Sequence, residues 1–367
     1  MMALAGLCLG LALDGGERAV IAVHCDPRVE LLVIVFRLAG AGEYHMDSAE
    51  SRYSRDVDHW FAPFRDHEAI RIARQERAAH GVGFDAIPSL AVHLDDSSRL
   101  ELRMPREPHP EKLDLRVTAA SLAAFLPARR RFAEDTRFAE FYAQHQSLYD
   151  TAAARVQAAV AEARLDAWVR EFFGPSASAA SFTLIPGLLC GGGNYGSSVL
   201  FADGRLELTP VMGISSWDQD GLPLFGADHI PTVAHELTHS FANPVIDHNA
   251  DDLEEAGTAL FNTVAKQMQS QAYAGWRTML YESLVRACVV RYVERTQGTL
   301  KARAQAHEEE ARGFRWTGRL ADLLESYEKD RTKYRDLDAF APHLILFFAT
   351  EAEHVASAPA EKILRDH

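Results

Sequence analysis

Five consecutive residues carry the sharpest chemistry in the chain: His235-Glu236-Leu237-Thr238-His239. On a helix, positions i and i+4 share one face, so both imidazoles can reach one metal ion. Glu236 can then stand beside a water polarised by that metal and act as its general base. Zinc suits such a donor set and brings the pKa of a bound water to about 7, which makes a nucleophile available at neutral pH. The local sequence predicts the helix these residues need. Pro231 suits a first helical turn, Val233, Leu237 and Phe241 supply apolar positions, and no other charge interrupts residues 232–242. Asn243-Pro244 is expected to end this helix one turn after His239. Histidine and glutamate on so uncharged a body need partners, and a metal supplies them.

A catalytic zinc of this kind takes three protein ligands and keeps one position open. The extended pattern HExxHxxGxxH is excluded, because Ala242 and Val245 stand where it needs glycine and histidine. A carboxylate on a later helix is then expected, and Glu254, Glu255 and Glu282 qualify. Asp247 and His248 are further options. Glu282 lies on a face with Met279, Val285, Val289 and Val293, where a carboxylate must be compensated. Metal ligation with Arg286 as its partner would do that, and so would a plain Glu282–Arg286 helix pair. Glu254 and Glu255 stand in the acidic start of their own helix, where the helix dipole alone favours them.

The elements that must position these groups are mostly helical. Val20 to Val23 could be a strand, and Glu30 to Leu38 is a helix or a buried strand. Residues 56–79 read as helical with a break near Pro63. Arg106 to Pro110 reads as a loop, and a long helical stretch follows, with Asp135 or Thr136 as its N-cap. Its stripe of Phe138, Phe141, Tyr142, His145, Leu148 and Tyr149 is a packing surface that continues to Gly174-Pro175. Ser181 to Ile185 reads as a strand, residues 187–196 as a glycine-rich turn, and residues 200–214 as a hairpin turning at Asp203-Gly204. Helices are expected over 231–242, about 253–272, about 276–296 and in the C-terminal part, interrupted before Pro342. The organisation read from this is a first segment, 1–16, that is a signal remnant or a first strand; a mainly helical region, 17–175; and a catalytic region, 176–367.

The 367 residues carry a net charge of −14, with no basic tract, which argues against an electrostatic grip on nucleic acid. An acidic total also disfavours acidic substrates at long range, although the charges of the cleft decide locally. The four cysteines, Cys8, Cys25, Cys190 and Cys288, lie far apart and form neither a disulfide framework nor a cysteine zinc site. No apolar run reaches the ~18–20 residues of a membrane span. Ala3 to Leu13 has the length of a signal-peptide core but lacks preceding positive charge, so location is open between cytoplasm and export.

The chain resembles the zincin metallopeptidases, in the branch with a glutamate third ligand. The segments Ala234 to Pro244 and Tyr281 to Ala287 are also similar to a bacterial family of predicted metallopeptidases catalogued as a domain of unknown function. The stretches Val29 to Met46 and Tyr327 to Phe348 look similar as well. The resemblance implies an α+β, zincin-like fold, mostly helical, with a small antiparallel or mixed sheet before the active-site helix. It implies one Zn2+ per chain held by His235, His239 and Glu282, Glu236 as general base, and a peptide or protein substrate. The sheet's edge strand would bind an extended substrate through its main chain, which places Asn194, Tyr195 and Gly196 near the cleft. Glu282 stands 43 positions after His239, longer than the compact thermolysin-like arrangement.

Two other readings use the same residues. Glu236/His239 and Glu351/His354 form two Glu-x-x-His pairs, the signature of a di-iron carboxylate bundle, but that leaves His235 without a role. A zincin scaffold used only for binding would have no need of Glu236.

Overall fold

The computed structural model describes residues 21–46, 51–95, 101–106 and 108–357. The expected signal remnant or first strand, 1–16, lies outside the described residues. The fold is α+β: a small mixed sheet lies between two helical halves.

The strands are β1 (Ala22–Val23), β2 (Ser181–Gly187), β3 (Asn194–Tyr195), β4 (Ser198–Leu200), β5 (Leu206–Leu208) and β6 (Val211–Gly213). β2 runs parallel to β1 on one side and to β5 and β6 on the other. Ser181 pairs with Glu207 and Ile185 with Val211, so one register runs through both β5 and β6. They are one strand interrupted at Thr209-Pro210, where proline has no N–H to give the ladder. β3 and β4 likewise keep one antiparallel register against it and are interrupted at Gly196-Ser197. Residues 194–200 thus form one edge strand.

Alternation sorts the sheet's side chains to its two faces. Phe182, Leu184, Leu208 and Met212 join the core of the C-terminal half. Ile185, Val199 and Val211 join the core of the N-terminal half. The helix Leu165–Phe173 packs with the C-terminal core.

The run around Glu30 is a helix, Pro27–Leu38, buried from Val29 to Leu38 on every side. Asp26 caps it by accepting from the Arg28 N–H at 2.8 Å. In the C-terminal half, the helix Trp276–Gln297 is buried in the same way and packs against the helices Ile230–His248, Ala250–Ser270, Thr299–Ala311 and Thr317–Lys329.

Several expectations need correction. The long helical stretch is divided into Phe138–Gln144, Gln146–Glu162 and Leu165–Phe173, with Arg137 and Arg164 in left-handed backbone at two of the starts. Neither Asp135 nor Thr136 caps it; the side-chain cap in this region is Thr118, which starts the helix Ala119–Asp135. The hairpin between β4 and β5 turns through Phe201–Arg205, with Gly204 at φ 83°, a three-residue loop rather than a two-residue primed turn. The expected C-terminal interruption before Pro342 does occur, at residues 330–336, and Pro342 itself lies inside the helix Leu337–Ser357. The helix of the HExxH residues does not stop at Asn243-Pro244 but continues to His248. An interior proline costs about 3 kcal/mol. The next turn buries Val245 and Ile246 almost completely, at about 1.5–3 kcal/mol each, which outweighs that cost.

Candidate metal centre

His235 and His239 sit one turn apart on the helix Ile230–His248, and their Nε2 atoms approach to 3.1 Å. Glu282 arrives from the next helix but one. Its Oε1 lies 3.4 Å from His239 Nε2 and its Oε2 3.6 Å from His235 Nε2. One potential ligand atom from each residue falls within 4.8 Å of the others, and no other such cluster occurs among the described residues. A tetrahedral zinc site with bonds of about 2.0–2.1 Å has edges of roughly 3.3–3.4 Å between donor atoms. The spacings match that size, so the three residues fit a zinc ion.

Two of the three donors are held by a neighbour outside the cluster. His239 Nδ1 lies 3.1 Å from Asn243 Oδ1. With the proton on Nδ1, it donates to that oxygen and leaves the Nε2 lone pair for a metal. Burial first, then the charges of His239 and Arg286, push the His235 imidazole well below its ordinary value, so it is neutral, the form that ligates. Glu282 Oε2 accepts from Arg286 Nη2 at 2.8 Å, and Arg286 Nη1 donates to Glu309 Oε2 at 2.5 Å. The Arg286 guanidinium also lies over the Phe314 ring at 4.4 Å. Arg286 is thus the partner of Glu282.

Glu236 lines the same cleft. Burial, and then the Glu282 charge, push its carboxyl up to about 8, with Arg286 opposing. A cation in the cluster acts in the same direction as Arg286. The edge strand crosses directly over this residue: a Cβ on Gly196 would lie 2.9 Å from the Glu236 carbonyl oxygen and 3.3 Å from its Oε2. Only glycine lets the strand come so close.

The cleft, about 430 Å³, has its floor in His235, Glu236, His239 and Glu282 and one side in the edge strand Asn194–Ser198. Tyr195 lines that side and also belongs to the N-terminal core, with its hydroxyl buried and unpartnered. Tyr273 was not legible as a site residue, because it lies in the short link between two helices, outside any periodic pattern. Its hydroxyl reaches the cleft and accepts from Arg286 Nη2 at 3.2 Å. Burial, then the Glu282 charge, raise its pKa, so it keeps its proton. Asp85, Ser89, Lys112 and Asp114, from the N-terminal half, form another side that no motif announced.

The remaining candidates lie elsewhere. Glu254 and Glu255 are exposed. Asp247 accepts a hydrogen bond from Tyr281, and His248 lies 3.0 Å from Asp338 on the surface. Glu351 is held by Arg319 at 2.6 and 2.8 Å, His354 is exposed, and neither joins the cluster that a di-iron site would need.

An α+β protein whose one described donor cluster joins a His-x-x-x-His helix to a glutamate two helices later is, by fold and site, a candidate single-metal protein. The family described as a domain of unknown function (DUF4932) matches residues 21–347, and the chain belongs to it. No curated protein and no solved structure matches the chain. Among the described residues, no helix is long and apolar enough to cross a membrane.

Proposed function

We propose that the protein is a zinc-dependent hydrolase of zincin type, a metallopeptidase that cleaves peptide bonds. The observation that carries this reading is the convergence of His235, His239 and Glu282 with Glu236 beside them in one open cleft. A ligand cluster alone would serve a structural metal; a carboxylate that shares the cleft without joining the cluster has a use in catalysis. The free side of the edge strand along that cleft suits an extended peptide.

Bound zinc supplies Lewis acidity and a lowered water pKa at its open position. The chain's residues do the rest. Glu236 takes a proton from the attacking water and returns it to the leaving amine. Tyr273 keeps its hydroxyl proton beside Glu282, and turning that proton from the carboxylate would let it donate to the oxygen on which charge develops. Arg286 holds Glu282 by a hydrogen bond, and Asn243 orients His239.

The test is metal content of chelator-free protein by mass spectrometry, with turnover of a peptide library. One zinc per chain is expected. Glu236→Gln is expected to keep that zinc and lose about 10²–10⁴ in turnover, and Glu282→Ala to lose zinc affinity. Unchanged turnover in zinc-loaded Glu236→Gln would leave a binding protein in place of an enzyme.

A further inference from the structure

The charges of the cleft are almost all spoken for. Glu282 is held by Arg286, which reaches it from outside the cleft lining. Asp114 accepts from Arg116 Nη2 at 2.7 Å and from Arg116 Nε at 2.8 Å. Asp85 accepts from the same guanidinium. Glu236 is the carboxylate left to act as base. Lys112 is the one lysine or arginine among the lining residues, and it has no carboxylate partner among the described residues.

Its mount is fixed. Ser89 Oγ donates to the Lys112 carbonyl at 3.3 Å and accepts from the Asp114 N–H at 3.1 Å. That ties the segment to the buried helix Ala86–Val92. His109 Nε2 lies 3.1 Å from the Leu113 carbonyl on the following residue. Composition adds a second argument. The chain uses arginine at 32 of its 38 basic positions, and Lys112 is the sole lysine before residue 266. A lysine there is not the default, and a compact ammonium with three rotatable donors suits a single oxygen anion better than a planar fork does.

We infer that Lys112 is a substrate-recognition residue, and that the cleft takes peptides presenting a carboxylate to it. This rests on the peptidase reading above. It also inverts the expectation from the acidic total charge, because a cation in the cleft outweighs distant, screened surface charge. Two sources share the chemistry: the free C-terminus of a peptide, which makes the enzyme a carboxypeptidase, and an aspartate or glutamate side chain, which makes it selective within a chain.

The experiment measures binding to the zinc-loaded, full-length Glu236→Gln protein by calorimetry, so that peptides are held and not cut. The probes are N-acetylated alanine peptides of equal length: a free acid, its amide, and an amide with one internal glutamate. The carboxylate-bearing probe is expected to bind about tenfold tighter than the plain amide, a difference of about 1.4 kcal/mol. Whichever acid shows the gain identifies the source. The gain is expected to vanish in Lys112→Met and largely to return in Lys112→Arg. A carboxylate that merely ligates zinc would keep its advantage in Lys112→Met, and that result overturns the proposal, as does equal affinity for all three probes. Turnover with Glu236 intact separates the two claims. Lys112-dependent binding without any cleavage leaves the carboxylate site standing and removes the peptidase. Cleavage with no carboxylate gain removes the site alone.

Discussion

Two helices of this chain are buried on nearly every side, and each carries a glutamate inward. Glu30 lies on Pro27–Leu38 in the N-terminal half, and Glu282 on Trp276–Gln297 in the C-terminal half. Their partners differ in kind. Glu30 meets neutral donors: the Tyr53 hydroxyl at 2.6 Å, itself 2.8 Å from the Tyr149 hydroxyl, and the Leu188 N–H at 3.4 Å. Burial pushes its carboxyl up to about 7, only partly opposed by those hydrogen bonds. Glu282 meets a guanidinium and two imidazoles. The difference teaches how to read a buried carboxylate. One given only neutral donors is relieved of its charge by taking up a proton and belongs to the scaffold. One given a cation on one side and two ring nitrogens on the other is compensated by charge and faces a ligand site.

The largest expected effect comes from breaking the charged arrangement. Arg286→Met leaves Glu282 and Glu309 buried without their common cation, and removing one partner of a buried pair costs about 3–5 kcal/mol. Urea unfolding of zinc-free protein measures it. A loss near zero would show that Glu282 needs no compensation and would put it in the same category as Glu30. Added zinc is expected to restore part of the lost stability, since it neutralises Glu282.

The second effect tests the neutral nest and has a sign set by linkage. The folded value of Glu30 is raised from about 4.5 to about 7. Its stabilising share is therefore fully present below 4.5 and is lost as pH rises through 7, because the folded state binds the extra proton in that window. Two and a half pH units correspond to about 3 kcal/mol. Glu30→Gln cannot ionise and escapes that loss. Relative to the parent, it is expected to gain about 3 kcal/mol in unfolding free energy between pH below 4.5 and pH above 7. A constant difference across that range would mean that folding leaves the Glu30 pKa at its ordinary value.

How much of this was legible before the fold was known depends on the distance over which each signal acts. His235, Glu236 and His239 were readable because their geometry is internal to one helix. Glu282 and Arg286 were readable because a carboxylate and a guanidinium one turn apart on an apolar helix need a reason to be there. Asn243 stands at the same i+4 spacing from His239 as His239 from His235, so the same periodicity could have found it. It was masked by Pro244, read as a stop, and the burial of Val245 and Ile246 overrides that local preference. The small mixed sheet was foreseen as strand material, but its continuity through Pro210 and Gly196 rests on register between strands. Asp85, Ser89, Lys112 and Asp114 come from a different half of the chain and reach the cleft through packing alone. Glu30 looked like one polar residue at the edge of an apolar run; only the tertiary contact with Tyr53 and Leu188 shows its role.

The smallest expected effects sharpen the comparison most, because they are equal in size and differ in what they move. Tyr53→Phe removes one donor from Glu30 and should lower stability by about 1 kcal/mol while leaving zinc affinity unchanged. Asn243→Ala removes the partner of His239 Nδ1. The ring then loses its preferred tautomer and orientation, and zinc affinity should fall about tenfold, at the lower end for losing such a partner. Because Asn243 is only half-buried in the cleft, water can replace its oxygen, so the unfolding free energy of zinc-free protein should shift by less than about 0.5 kcal/mol. If instead Asn243→Ala moved stability and left zinc affinity intact, the cluster would behave like the Glu30 nest. The contrast between a carboxylate held for packing and one held for a metal would then fail at its closest test.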